Sequence, residues 1–121
     1  MKRAELKSWH SSDIEDFDSY IPENSNNFCF VLTVLVGSLG EPGEESFDIQ
    51  ICTPQWLISS YPEDEIIFSR HMIIVFKYDF NHLLNRIKNA IESCTGKDWN
   101  IIAEKVSRIG HWEFEDYQPD L

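Results

Sequence analysis

The order of apolar and polar positions along the chain predicts strands first and helices last. Residues 3–9 alternate as in a short strand. The segment from Phe28 to Ser38 is apolar on both faces and rich in β-branched residues, which is typical of a central strand covered on two sides. Residues 47–51 alternate between apolar and polar side chains, and the Gly/Pro loop before them predicts a hairpin. Pro54 begins a short turn or helix, and residues 70–78 predict a fourth strand.

Two apolar stripes with helical spacing follow the strands. Asp79 is a candidate N-cap for a helix whose stripe extends from Phe80 to Cys94, and Gly96 suits its C-terminal cap. Asp98 is a candidate N-cap for a second helix with a stripe from Trp99 to Ile109. The predicted fold class is α+β, an antiparallel β-sheet of about four strands with two C-terminal helices packed on one face. We expect the two stripes to form a core with strand residues Phe30, Leu32, Val34, Ile49, Ile51 and Ile74.

Two further segments have a mixed character. Residues 11–27 are acidic and rich in turn-forming residues, and the capping-box spacing of Ser12 and Glu15 predicts a brief helix there. The tail from residue 111 alternates aromatic and acidic side chains. It predicts a final extended segment that buries Trp112, Phe114 and Tyr117, or a partner-facing acidic rim, and the two interpretations are compatible.

Length and cysteine content predict one reduced domain. A chain of 121 residues, 42% hydrophobic, is long enough for a single core, so we assign residues 1–121 to one domain. The N-terminus has no apolar segment of the kind found in signal peptides, and the longest apolar run, Phe28–Val36, is too short to span a bilayer. Cys29, Cys52 and Cys94 show no CxxC spacing. They are typical of reduced core thiols, which predicts a cytoplasmic protein.

The charge of the chain limits its partners. Twenty-one acidic residues face ten basic ones, for a net charge of −11, and the acidic residues are clustered. Such a field repels nucleic acid and anionic membranes and attracts basic proteins, although solubility alone explains it equally well. The partner-binding candidates are the acidic residues of the clusters: Asp13, Glu15, Asp16, Asp18, Glu63, Asp64, Glu115 and Asp116.

Residue patterns for catalysis or metal binding are mostly missing from the sequence. The Gly-rich stretch 37–43 lacks the lysine of a phosphate-binding loop and favours a hairpin turn. Glu113 and Glu115 have a spacing that an acid/base pair could use, but no convergent polar set accompanies them. No serine or cysteine stands in a nucleophile motif. We therefore expect that the protein is not an enzyme and needs no cofactor. We also expect no metal site, because the four histidines lie in separate segments without a ligand motif: His10, His71, His82 and His111.

Several short motifs together resemble a known family. Residues 47–57, FDIQICTPQWL, resemble a signature of the immunity protein 8 family of bacterial polymorphic-toxin systems. The stretch from Arg70 to Asp79, Trp99 at the start of the second helix, and the ending WEFEDY at residues 112–117 agree with that signature in order and spacing. The resemblance covers residues 28–117.

The resemblance implies a protein that binds and neutralises a cognate toxin. The toxin is expected to be the C-terminal domain of a large secreted or contact-delivered protein, as in contact-dependent growth inhibition, and commonly a nuclease acting on DNA, RNA or tRNA. A nuclease needs a cationic groove for its phosphate backbone, which an acidic partner is suited to cover. The sequence leaves the oligomeric state open, and the absence of a heptad pattern favours a monomer. An acidic adaptor without a toxin, or a small uncharacterised enzyme, remains the alternative.

Overall fold

The computed structural model describes residues 1–116 and contains a mixed six-stranded sheet with three helices. Tyr117, Asp120 and the other residues after Asp116 lie outside the described part, so the predictions that involve them are not addressed by the structure. The elements in chain order are β1 (Lys2–His10), β2 (Cys29–Ser38), β3 (Glu45–Cys52), α1 (Pro54–Ser60), β4 (Met72–Ile74), α2 (Phe80–Glu92), β5 (Thr95–Gly96), α3 (Trp99–Val106) and β6 (His111–Trp112).

The hairpin of β2 and β3 is the centre of the sheet. Eight residue pairs join the two strands, from Cys29 opposite Cys52 to Val36 opposite Glu45. The connecting loop turns through Gly40 and Gly43, whose φ angles of 77° and 95° are strained for residues with a Cβ. The predicted hairpin is therefore confirmed.

The sheet is mixed, which corrects the prediction of an antiparallel one. Its strand order is β4-β3-β2-β1-β5, and β4 runs parallel to β3, whereas β6 pairs antiparallel with β3. A parallel neighbour requires a long crossover, and residues 53–71 supply it through α1 and a loop. The predicted strand 70–78 is shortened to three residues, β6 is formed by the first two residues of the predicted extended tail, and the two-residue strand β5 was not predicted.

The two long helices cover one face of the sheet, as predicted. Asp79 and Asp98 cap α2 and α3, because their carboxylates accept hydrogen bonds from the backbone of residues three positions later, at 3.2 and 3.1 Å. Gly96 is not a helix cap: it lies in β5, where a Cβ would approach Ile101 to 2.7 Å. The buried helix residues meet the strand core and are Leu83, Ile87, Ile91, Ile102, Ala103 and Val106.

The second face of the sheet is partly open to solvent. Val31 of β2 is exposed, and Thr33 and Leu35 are half-buried, so the prediction of a strand covered on both sides is wrong. Ile74 is also exposed rather than part of the core. Apolar residues on both faces of β2 are therefore not evidence that both faces are covered, because half-buried strand positions accept β-branched residues as well.

Residues 11–27 form turns and not the brief helix predicted from Ser12. Three of their side chains nevertheless lie in the core or pack against it: Ile14, Phe17 and Tyr20. Ile14 is buried, and the ring of Phe17 stacks on Phe80 of α2, with the ring centroids 4.2 Å apart. This acidic segment is thereby held against the end of the sheet.

Thr53 joins the end of the central hairpin to α1. Its buried hydroxyl oxygen accepts hydrogen bonds from the backbone N–H groups of Phe28 and Trp56, both at 3.2 Å, and Pro54 occupies the first turn of the helix. The Thr53 side chain therefore caps α1 and also satisfies a buried N–H donor directly before β2. These two hydrogen bonds explain the role of threonine in the motif CTPQW.

We expect Ile87→Asp to unfold the protein, because an unpaired buried carboxylate costs several kcal/mol out of the ~5–15 that stabilise a typical domain. Urea denaturation followed by circular dichroism measures the loss. Asn85→Asp is the matched control, since it adds a carboxylate to the exposed face of the same helix. A cooperatively melting Ile87→Asp protein would contradict the assignment of this helix face.

We expect Thr53→Val to lower the free energy of unfolding by about 2 kcal/mol, because it keeps the shape of the side chain and removes the acceptor of two backbone donors. Thr33→Val makes the same chemical change where the hydroxyl bonds only the Asp48 carboxylate, and it should cost less than half as much. Equal losses in chemical denaturation would show that the cap is not the cause.

Candidate functional site

The acidic residues selected from the sequence occupy three surface regions. The first is the segment Asp13–Asp18, where all four carboxylates are exposed. The Asp13 carboxylate accepts a hydrogen bond from the Val31 N–H at 2.8 Å, and the Asp16 carboxylate accepts one from the Asp18 N–H at 3.0 Å. Glu15 and the Asp18 carboxylate have no such partner within residues 1–116. Two of the four acids therefore support the local structure, and two are free for a partner.

The second region is the crossover loop between α1 and β4. Glu63 and Asp64 lie there with Glu65, and all ten residues from 61 to 70 are exposed. The acidic triplet is followed directly by three apolar residues, Ile66 to Phe68. This loop presents negative charge and apolar surface side by side.

The third region is the turn after β6, where the two predicted residues differ. Asp116 is exposed, with a positive φ of 58°. Glu115 is half-buried, and its carboxylate lies 2.7 Å from the Arg70 guanidinium, 3.5 Å from Nε2 of His71 and 3.4 Å from Nδ1 of His111. An acid engaged in this way is poorly placed to meet a partner.

Strand pairing brings this cluster together. β4 and β6 lie along the same edge of β3, so His71 and His111, forty positions apart in the chain, come to a ring-centroid distance of 5.4 Å. This contact was not predicted, because the strand expected at residues 70–78 and the extended tail expected from residue 111 carry no signal that both pair with the same strand.

His71, His111 and Glu115 could in principle hold a metal ion, because one ligand atom of each lies within 4.8 Å of the others. The existing contacts oppose such binding. Nε2 of His71 lies 2.7 Å from the carbonyl oxygen of Ser107 and 3.1 Å from Nε of Arg70, so it is already engaged, and the Arg70 guanidinium, which also pairs with Glu115, would repel a cation there. The cluster is better suited to hold the C-terminal turn against β4, and the expected lack of a metal site stays a prediction.

The cysteines lack the properties of nucleophiles. Burial, with a smaller contribution from neighbouring Cys29, raises the pKa of Cys52 to about 11. Burial also raises the pKa values of Cys29 and Cys94. A reactive cysteine needs the opposite shift, because the thiolate is the nucleophile.

The sequence model of the family described as Immunity protein 8 matches residues 4–117, which is nearly the whole chain. The chain belongs to the immunity protein 8 family. Its fold, with a short CTPQW cap after the central hairpin, is therefore the fold of an immunity protein, a class that acts against a toxin. No curated protein and no solved structure shows a significant match to the chain.

In this immunity protein, no helix within residues 1–116 is long and apolar enough to cross a membrane. A mainly apolar groove lies between β4 and α2. Its walls include Ile73, Val75 and Leu83, and Lys77 and Arg86 also line it. No sequence signal marked this groove, because it depends on the crossover that places β4 beside α2.

We expect Glu115→Gln to lower the free energy of unfolding of the immunity protein by about 1–2 kcal/mol, because it removes the charge that Arg70 and the two histidines contact. Glu104→Gln, at an exposed position of α3, is the control and should change it by less than about 0.5 kcal/mol. Urea denaturation gives both values. A melting temperature that rises with added Zn²⁺ in the wild type, but not in Glu115→Gln, would instead assign the cluster to metal binding.

Proposed function

We propose that this immunity protein neutralises a cognate toxin domain by stoichiometric binding, and that the toxin is a nuclease with a cationic substrate groove. The observation that carries the proposal is a set of exposed carboxylates without partners within residues 1–116: Glu15, Asp18, Glu63 and Asp64. In a chain of net charge −11, these groups are available to a basic surface. We place the activity in the cytoplasm of the cell that produces the toxin.

Electrostatic attraction would act mainly on the rate of association. Complementary fields raise association rates by about 10–10³-fold at low ionic strength. The gain shrinks as salt shortens the Debye length to about 8 Å near physiological strength. The acidic groups would thus bring the immunity protein quickly to a toxin whose activity threatens the producing cell.

The proposed action is inhibition by occupation, without chemistry. The raised cysteine pKa values and the Arg70-paired Glu115 are consistent with a binding protein. We expect a neighbouring gene to encode the toxin domain, and titration of that purified domain with the immunity protein should reach full inhibition at a fixed molar ratio. Inhibition at ratios far below one, or release of a modified toxin, would indicate catalysis.

We expect the fourfold reversal of Glu15, Asp18, Glu63 and Asp64 to lysine to slow association with the toxin domain by about tenfold or more at low salt. The difference from wild type should shrink as salt is added. Asp13 and Asp16 are left unchanged, since their hydrogen bonds support the fold. Stopped-flow measurement across a salt series gives the rates.

A control variant with the same change in net charge distinguishes the effect of where the acidic residues lie from the effect of total charge on the association rate. Reversal of four acids outside the candidate regions changes the net charge by the same amount. Glu5 and Glu92 are unsuitable because they are half-buried, so the control uses the exposed residues Glu23, Glu41, Glu44 and Glu104. An association rate equally reduced in the control would show a general charge effect. Wild-type rates in the fourfold variant would show that these clusters face away from the toxin.

A further inference from the structure

Exposed apolar side chains concentrate between β3 and α2, in the crossover, in β4 and in the residues just after β4. Seven of the thirteen exposed large apolar residues in the described part of the chain lie there: Ile58, Tyr61, Ile66, Ile67, Phe68, Ile74 and Phe76. We call these seven the crossover surface. Phe68 is 92% exposed and Phe76 is 78% exposed. Scattered apolar residues on a surface are ordinary, but a concentration of this kind marks an interaction site.

The fold itself leaves these residues outside the core. The crossover must bring the chain back parallel to β3, and α1 buries none of its residues fully. Phe76 follows β4 and lines two grooves. One groove is shared with Ile58 of α1, and the other, between β4 and α2, is shared with Ile74. These three side chains therefore form a continuous apolar part of the crossover surface.

Negative charge adjoins the apolar residues. Glu63, Asp64 and Glu65 directly precede Ile66, and all four are exposed. Lys77, Asp79 and Arg86 line the groove between β4 and α2, and the Asp79 carboxylate there is engaged as the cap of α2. A partner that complements this arrangement presents basic side chains to the acidic triplet and apolar sockets to the aromatic rings. Its basic side chains lie away from α2, where they would meet Lys77 and Arg86. Desolvated aromatic anchors beside polar residues are the usual arrangement of a strong protein interface.

We propose that the crossover surface is the anchor of the toxin interface, and that Phe68 and Phe76 insert into apolar sockets on the cationic face of the toxin domain. This inference rests on the proposed function and adds the part of the surface that holds the complex. Phe68 and Phe76 determine how long the complex lasts, whereas the acidic groups determine how fast it forms.

The test uses the full chain and the toxin domain encoded next to its gene. Phe68→Ala and Phe76→Ala should each raise the dissociation rate by about 30-fold or more, with an association rate and melting temperature close to wild type. Ile21→Ala and Leu39→Ala are matched controls, because these apolar residues are also exposed but lie outside the crossover. The controls should leave the dissociation rate within about twofold of wild type. The increase should persist at high salt, unlike the effect of the charge reversals.

Hydrogen exchange of the wild-type complex gives a second measurement that needs no variant. Toxin binding should protect backbone amides between residues 61 and 78 more than those of the β2–β3 loop. Unchanged dissociation rates in both phenylalanine variants, or protection confined to another face, would overturn the inference. A free protein that sediments as a dimer, and becomes a monomer in Phe68→Ala, would assign the surface to a second copy and also overturn it. Failure of the wild type to bind the toxin at all would overturn the proposed function, and this inference with it.

Discussion

The fold depends on the antiparallel ladder between β2 and β3. Phe30, Leu32, Val34 and Val36 on one strand, and Phe47, Ile49 and Ile51 on the other, form the apolar face on which both long helices pack. A shift of the ladder by one residue would turn this face to solvent and bring Asp48 and Gln50 into the core. The end of the ladder is tied to α1 by the hydroxyl of Thr53, so the path of the crossover begins at a defined position.

The free edge of β3 organises the surface. β4 pairs with its last three residues and β6 with Phe47 and Asp48, so the crossover and the C-terminal turn meet on one edge. Glu115 joins them through Arg70, His71 and His111. Glu115, which was predicted from the sequence to bind a partner, thus stabilises the fold instead. As a consequence of this arrangement, apolar residues of the crossover remain exposed to solvent and accessible to a partner.

The acidic residues have two separate roles. Asp13 and Asp16 satisfy backbone and hydroxyl donors, and Asp79 and Asp98 cap helices. Glu113 accepts a hydrogen bond from the Ser46 N–H, and Asp48 accepts one from the Thr33 hydroxyl. Exposed carboxylates without such a contact, among them Glu15, Asp18, Glu63 and Asp64, contribute to the field around the molecule. Charge counted from a sequence overstates the number of groups available to a partner, because backbone donors compete for the same oxygens. The distinction decides which residues a charge-reversal experiment can use without damaging the fold.

The sequence by itself determined the central hairpin, the two capped helices with their buried stripes, and the family. Each of these features depends on local periodicity, on a helix cap formed within three residues, or on the order of short motifs. All of these can be identified without knowing which distant segments are in contact. Only the tertiary structure decided the parallel β4, the two-residue strands, the pairing of His71 with His111, and the exposure of Phe68 and Phe76. These features result from contacts between distant segments along one strand edge, and such contacts leave no periodic signal in the residues that make them.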